Sequence, residues 1–267
     1  MKVKERECKS IISKSGIYGV DYSINPYIGC QHGCKYCYAS FMRRFTDHSE
    51  PWGKFVDVKI NARSVLEKDL MKVKKGSILI SSVTDPYQPL EEKYKLSRKI
   101  LKRLANTKFP VTILTKSDLV LRDLDLLKKF NESRISVGFS INYLDDRDRK
   151  IWEPNSCTIT ERLDALKKIS ESEIECYLHV GPYFEGITNL EEITKNVGNQ
   201  VSEIQIENIN LSENQDQIIR IVRENYPNLE QTYEKIRMND QPYKQRLEKE
   251  VEKVRKFSNA PIRLFLD

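Results

Sequence analysis

The sequence predicts an α/β fold built on a parallel sheet, and three observations carry that expectation. Short β-branched runs alternate with amphipathic helical runs from residue 54 to residue 209. Helices placed between successive strands act as crossovers, which argues for parallel strands joined by right-handed connections. The 267 residues are 39% hydrophobic and 31% charged, which suits a soluble globular chain with a sizeable core.

The elements follow in order. KFVDVKI (54–60) reads as a strand. NARSVLEKDLMKVKK (61–75) reads as a helix, with Asn61 placed to cap it and Gly76 to stop it. SILISSV (77–83) is a buried strand. KYKLSRKILKRLA (93–105) has its apolar residues at helical spacing, and VTILT (111–115) is a strand. SDLVLRDLDLLKKF (117–130) is a helix capped by Ser117, followed by the strand RISVGFSI (134–141). TITERLDALKKIS (158–170) is a helix and IECYLHV (174–180) a strand. NLEEITKNVG (189–198) is a short helix, and EIQIENI (203–209) ends the series. After Leu211 the pattern turns helical over 212–226 and 228–257, before IRLFLD (262–267) closes as a strand. The expected division is an N-terminal segment (1–18), a core (19–210) and a helical C-terminal extension (211–267). The Lys/Arg/Glu mixture of 235–256 reads as a solvated helix face, with a nucleic-acid stripe as the sharper alternative.

The net charge of +6 permits a nucleic acid or another anionic partner without requiring one. The opening MKVKERECKSIISKSG has no apolar core of a secretory signal, and no window approaches the ~18 apolar residues of a membrane span. The expectation is a cytoplasmic protein without a membrane partner, in which grouped cysteines serve metal or catalytic roles rather than disulfides.

Three of the six cysteines, Cys30, Cys34 and Cys37, fall within eight residues in NPYIGCQHGCKYCYASF (25–41). Gly29 and Gly33 let the backbone fold back so that three thiolates converge. A closed zinc site would want a fourth ligand, from His32 or His48. Three thiolates suit a [4Fe–4S] cluster with one iron left open for an exogenous ligand, and Tyr38 would then lie against that ligand. Cys157 and Cys176 are too far away in sequence to join the set and read as small buried hydrophobes, while Cys8 reads as incidental.

The ends of the expected strands carry polar residues: Thr84 and Asp85, Lys116, Ser140 and Asn142. They can reach a site at the mouth of the fold. Read blandly, Asp85-Pro86 opens a turn and Ser117 caps a helix beside a solvated Lys116. Glu153 follows the charged stretch YLDDRDRK (143–150), which reads either as a loop over a substrate or as an exposed turn. His179 and Tyr183 either face the mouth or serve structure.

The spacing C-x3-C-x2-C followed by an aromatic resembles the signature of radical S-adenosylmethionine (SAM) enzymes. NPYIGCQHGCKYCYA, SSVTDPYQPLE, TKSDLVLRDLDLL and WEPN…ERLDAL are similar to the spore photoproduct lyase-related branch, often called DNA repair photolyases. The resemblance runs from about Gly19 to Gly186. It implies a partial (β/α)6 TIM-like barrel with its site at the C-terminal ends of the strands. It implies a [4Fe–4S] cluster, SAM, and a one-electron reductant such as ferredoxin or flavodoxin. Carried over, Thr84 and Asp85 hold the amino or ribose end of SAM, and Lys116 the carboxylate or ribose. Ser140 lies on the carboxylate side with Asn142 nearby, and Tyr38 touches the adenine. Tyr36 and Glu153 are the implied catalytic residues.

The resembled lyase carries a hydrogen-donating cysteine in an A-C-T-S-D segment. Here the segment is SSVTD and Ser82 takes that place. A serine O–H is too strong a bond to replace a thiol donor. The expected function is therefore a radical SAM enzyme with an unidentified substrate. Its rivals are a DNA lyase using Cys157 or Cys176 as substitute donor, and a non-catalytic zinc or iron–sulfur module.

Overall fold

The structure is a computed structural model that describes residues 1–130 and 134–266. The chain begins with four short strands: β1 (Lys2–Arg6), β2 (Ile12–Lys14), β3 (Tyr22–Ile24) and β4 (Tyr27–Ile28). After the cysteine loop and a 3-10 turn over Tyr38–Phe45 come β5 (Phe55–Lys59) and α1 (Ala62–Leu70). Then follow β6 (Ile78–Ile80), α2 (Leu90–Tyr94), α3 (Leu96–Leu104), β7 (Val111–Thr115) and α4 (Leu124–Leu127). Next are β8 (Ile135–Ser140), α5 (Asp146–Trp152), α6 (Ile159–Glu171), β9 (Glu175–Tyr183), α7 (Leu190–Val197) and β10 (Glu203–Asn208). The last part holds α8 (Gln215–Asn225), α9 (Glu230–Met238), α10 (Gln241–Val254) and β11 (Ile262–Phe265).

The main sheet runs β11-β10-β9-β8-β7-β6-β3-β2. Every neighbouring pair from β3 to β11 is parallel, and β2 joins β3 antiparallel. The sheet stays open, with β2 and β11 as edges, so it is a partial barrel with a helical extension. Helices cover one face. Ile113, Val137, Phe139, Leu178, Val180, Ile204 and Ile206 have no solvent exposure, and the Cys176 thiol meets the Leu166 carbonyl of α6 at 3.9 Å. The alternate residues Thr112, Ser136, His179, Gln205 and Glu207 line the other face and keep part of their surface. Tyr177 lies across that face, its hydroxyl on the Ile113 carbonyl at 3.0 Å, in space left by Gly138, where a Cβ would collide with its ring.

Several expectations need correction. The strand expected at 54–60 is real, but β5 lies outside the parallel series. It pairs with β1 and β4 in a separate three-stranded sheet, because β-periodicity does not say which sheet a strand joins. Asn61 does not cap α1: its amide is committed to the Cys8 backbone, at 2.9 and 3.0 Å. The helix expected at 93–105 breaks at Lys95, which adopts φ 53°. The one at 117–130 begins as a 3-10 turn, with Ser117 capping as expected by accepting the Leu119 amide. The stretch 143–150 is neither loop nor turn throughout: Asp145 caps α5, and Arg149 turns inward to the Glu153 and Ser156 carbonyls. The residues 228–257 are helical as expected, divided into α9, α10 and a final 3-10 turn, and the closing strand ends at Phe265. Asp267 lies outside the described residues.

Candidate functional site

The cysteine loop leaves β4 and is gripped from several directions. The Thr84 hydroxyl donates to the Gly29 carbonyl at 2.7 Å, and Gln88 donates to Thr84 at 2.9 Å. The Gln31 amide donates to the Gln88 side chain at 2.9 Å, and Asn155 donates to the Gln31 carbonyl at 2.9 Å. The Lys35 amide donates to the Trp152 carbonyl at 2.8 Å. The extension reaches back as well: Asn214 donates to the Cys37 carbonyl at 2.9 Å and Gln217 to the Lys35 carbonyl at 2.5 Å. Gly33 and Gly53 touch backbone to backbone at φ +62° and +86°, and a Cβ on Gly53 would stand 2.6 Å from the Gly33 Cα.

Cys30 and Cys34 are buried and Cys37 is half-buried. Burial pushes the Cys30 thiol up to about 12, with the Asp85 and Cys37 charges adding to it. Burial also raises Cys34, against the pull of Lys116, and lifts Cys37 to about 12 with the charge of Cys34. Each thiol thus feels another of the three. Without a cation all three stay protonated, and a bound metal would convert them to thiolates and release protons. Among the described residues, no three His, Cys, Asp or Glu side chains are grouped as they would be around one metal ion. His48 cannot readily complete a zinc site, since its ring nitrogens face Glu50 at 3.1 Å and Asp57 at 2.8 Å. His32 is buried with Nδ1 facing Asp85 at 3.3 Å.

The strand-end residues divide into supports and free groups. Burial pushes the Asp85 carboxyl up, but His32, the Thr115 hydroxyl at 2.7 Å and the Lys116 amide at 2.8 Å outweigh it and hold it at about 2. Asn142 bridges the Gly181 backbone, donating at 3.1 Å and accepting at 2.9 Å, and also donates to the Tyr36 hydroxyl at 3.1 Å. Ser140 is fully buried and its hydroxyl has no partner among the described residues. The Lys116 ammonium likewise has no ion pair there. Burial lowers its affinity for the proton, but Glu153 and Cys34 outweigh that and hold the charge. Tyr38 is 50% exposed, and its hydroxyl donates to the Ser82 carbonyl.

Tyr36 donates to Glu153, which pairs with Arg162 at 2.5 Å, with Glu153 and Arg162 fully buried. Burial penalises the Glu153 charge, and Arg162 and Lys116 more than restore it, so its carboxyl is held below the usual range. Arg162 also donates to the Ser140 carbonyl at 2.9 Å, which ties the network to β8. The sequence reading missed Arg162, although it interrupts the apolar stripe Ile159, Leu166, Ile169 of α6. It also missed the grip of Gln88, Asn214 and Gln217, for which the sequence carries no local signal. His179 faces Glu207 at 3.4 Å across the open face, and its Nδ1 is buried without a partner among the described residues.

These residues fit a polar cofactor that carries a carboxylate, held beside a thiolate-bound metal group. The Lys116 ammonium lies over the Tyr36 ring at 5.8 Å and has no ion pair among the described residues, and the Ser140 hydroxyl has no partner there. The buried indole N–H of Trp52 acts on Cys37, where it favours the thiolate.

A family model for the radical SAM superfamily matches residues 24–197. The chain belongs to the radical SAM superfamily. An uncharacterised protein of Methanocaldococcus jannaschii is 44% identical over 189 residues, 70% of each chain. The radical SAM Nalpha-GlyT isomerase of Pseudomonas phage M6 is 25% identical over 171 residues, 63% of this chain and 34% of the isomerase. Among solved structures, spore photoproduct lyase complexed with dinucleoside spore photoproduct matches this radical SAM chain with TM-score 0.71 at 16% identity. That alignment covers 99% of this chain and 82% of the lyase. A variant of that lyase with bound AdoMet and the same photoproduct gives TM-score 0.62 at 18% identity, over 84% of this chain and 66% of the other. At these identities the likeness is one of fold. No helix among the described residues is long and apolar enough to cross a membrane.

Proposed function

We propose that this radical SAM protein is an enzyme that holds a [4Fe–4S] cluster on Cys30, Cys34 and Cys37 and binds SAM on the open face of its sheet. The observation that carries the reading is that two buried thiols, Cys30 and Cys34, and the half-buried Cys37 sense one another's charge, with the Lys116 ammonium, which has no ion pair among the described residues, close enough to act on Cys34 and Cys37. A cluster asks for one thiolate per iron, set around an inorganic core, rather than three ligands closing on one ion. When bound, the cluster and SAM supply a 5′-deoxyadenosyl radical by one-electron cleavage of the sulfonium, and the radical takes a hydrogen atom from a substrate.

The chain's own residues do the positioning. Lys116 pairs with the carboxylate of SAM, and Ser140 donates beside it. Thr84 and Asp85 hold the loop and the strand end in place, and Tyr38 lies along the adenine. Asn142, Tyr36 and Glu153 form a buried brace behind Cys34, so Glu153 fixes geometry instead of meeting the substrate. A one-electron reductant such as ferredoxin or flavodoxin supplies the electron. The substrate class stays open between nucleic acid and other polar molecules. If the reaction returns a hydrogen atom to product, Cys157 is the better-placed thiol. Its sulfur lies 3.2 Å from the Lys116 carbonyl, whereas Cys176 faces α6.

The test is anaerobic reconstitution followed by reduction with SAM present. The expected results are about four irons per chain, 5′-deoxyadenosine formed slowly without substrate, and most iron lost in Cys34→Ala. A Cys34→Ala protein that keeps its iron and its absorbance would overturn the assignment.

A further inference from the structure

A recess lies between the cysteine loop, α5 and α8. Lys35, Ile151, Gln217, Arg220 and Ile221 line it, with Glu224 and Asn225 completing the wall. Lys35 stands between Cys34 and Tyr36, so the floor of the recess includes the loop itself. That backbone is fixed there by Gln217 on the Lys35 carbonyl and by the Lys35 amide on Trp152. Five of the seven lining residues come from α8, which gives the C-terminal extension a part in the site that its sequence did not announce.

The chemistry of the recess is specific. Ile151 and Ile221 give it an apolar patch, and Ile221 is largely buried. Neither Lys35 nor Arg220 has a carboxylate within ion-pairing distance among the described residues. Glu224 is the one acidic group in the lining, against the two cations Lys35 and Arg220. The excess is positive around an apolar centre. Electron transfer falls steeply with distance, and the recess includes Lys35, the chain neighbour of Cys34.

We propose that this recess is the docking surface for a small acidic one-electron carrier protein. The inference rests on the reading that the loop holds a redox centre. The carrier's reduced cofactor gives one electron to that centre and returns to its oxidised form, and no atom or proton is transferred at the recess. Lys35 and Arg220 meet carboxylates of the carrier, and Ile151 and Ile221 meet its apolar rim.

The experiment compares two electron sources on the full-length reconstituted protein: reduced flavodoxin, which is acidic, and dithionite, which needs no docking. Arg220→Glu is expected to lower flavodoxin-driven 5′-deoxyadenosine formation about tenfold, and added salt to slow the wild type in the same arm. Dithionite-driven formation should be the same in both proteins. A second readout needs no turnover: carbodiimide cross-linking of oxidised flavodoxin, mapped by peptide mass spectrometry, should join Lys35 to the carrier in wild type and fail in Arg220→Glu. Full flavodoxin-driven rate in Arg220→Glu, or cross-links mapping away from Lys35, overturns the proposal. So does protection of Lys35 by a single-stranded oligonucleotide in place of the carrier. If dithionite yields no 5′-deoxyadenosine while the Lys35 cross-link forms, the radical SAM reading of the site fails and the docking surface stands.

Discussion

The two faces of the main sheet are made from alternate residues of the same strands, yet they answer to different demands. On the helix-covered face, Val137, Leu178, Ile204 and Ile206 are sealed, and burial of apolar area is the reason for each. On the open face, the neighbours Ser136, His179, Gln205 and Glu207 keep surface, and the buried polar atoms Ser140 Oγ and His179 Nδ1 lack partners among the described residues. A sheet that only had to be stable would have satisfied or replaced those atoms. The difference teaches that apolar burial is concentrated on one side of the strands, which leaves the other side free for the polar groups of the proposed site. A one-residue shift of register would exchange them.

The sharpest test breaks the brace that joins the faces. Arg162→Ala leaves Glu153 charged, buried and unpaired, and should cost about 3–5 kcal/mol of stability. The check is urea denaturation, in which a change under 1 kcal/mol on that scale would separate the brace from the fold. Next comes the covered face: Leu178→Ala should cost about 2–5 kcal/mol while SAM affinity, measured on protein that remains folded, stays close to wild type. The open face should behave in the opposite way. Lys116→Gln should weaken SAM binding by about 1.5–3 kcal/mol with stability unchanged within about 0.5 kcal/mol. Calorimetric titration on reconstituted protein decides it, and equal SAM affinity would remove Lys116 from the site.

The smallest effect is one of pH. The Asp85 carboxyl is held at about 2 in the fold, below its unfolded value near ~4. A lowered folded pKa adds stability that is fully present above the unfolded value and lost as pH falls towards the folded one. Thermal unfolding midpoints should therefore drop between about pH 5 and pH 3 in wild type, and Asp85→Asn should start lower and fall less. Parallel curves for the two proteins would contradict the assignment.

How much of this was legible depended on how local each signal is. The alternation of β-branched and helical runs located β6 to β10, because each run meets its neighbours through short crossovers. Lys2–Arg6 was invisible as a strand: KVKER has four charged residues and a single apolar one, Val3, and only its pairing with β5 makes it one. The charges of 143–150 hid α5, since Asp145 as cap and the Asp146–Arg149 pair at 2.6 Å stabilise a short helix that periodicity does not reveal. The cysteine spacing was readable because the loop carries its chemistry within eight residues. Its support was not, because Asn214 and Gln217 arrive from more than 170 residues away. Arg162 was readable in principle, as a cation in the apolar stripe of a helix.

The contact between Gly33 and Gly53 has a consequence for how this sequence can drift. The two backbones meet at positive φ, and a Cβ on Gly53 would press on the Gly33 Cα at 2.6 Å. Neither position can be relieved by changing the other, because no residue is smaller than glycine. Random substitution followed by selection for iron bound on reconstitution should therefore return glycine at both, while the neighbouring Lys54 varies. The two glycines, twenty positions apart, would be inherited as one unit, and losing either should cost the proposed cluster before it costs the fold.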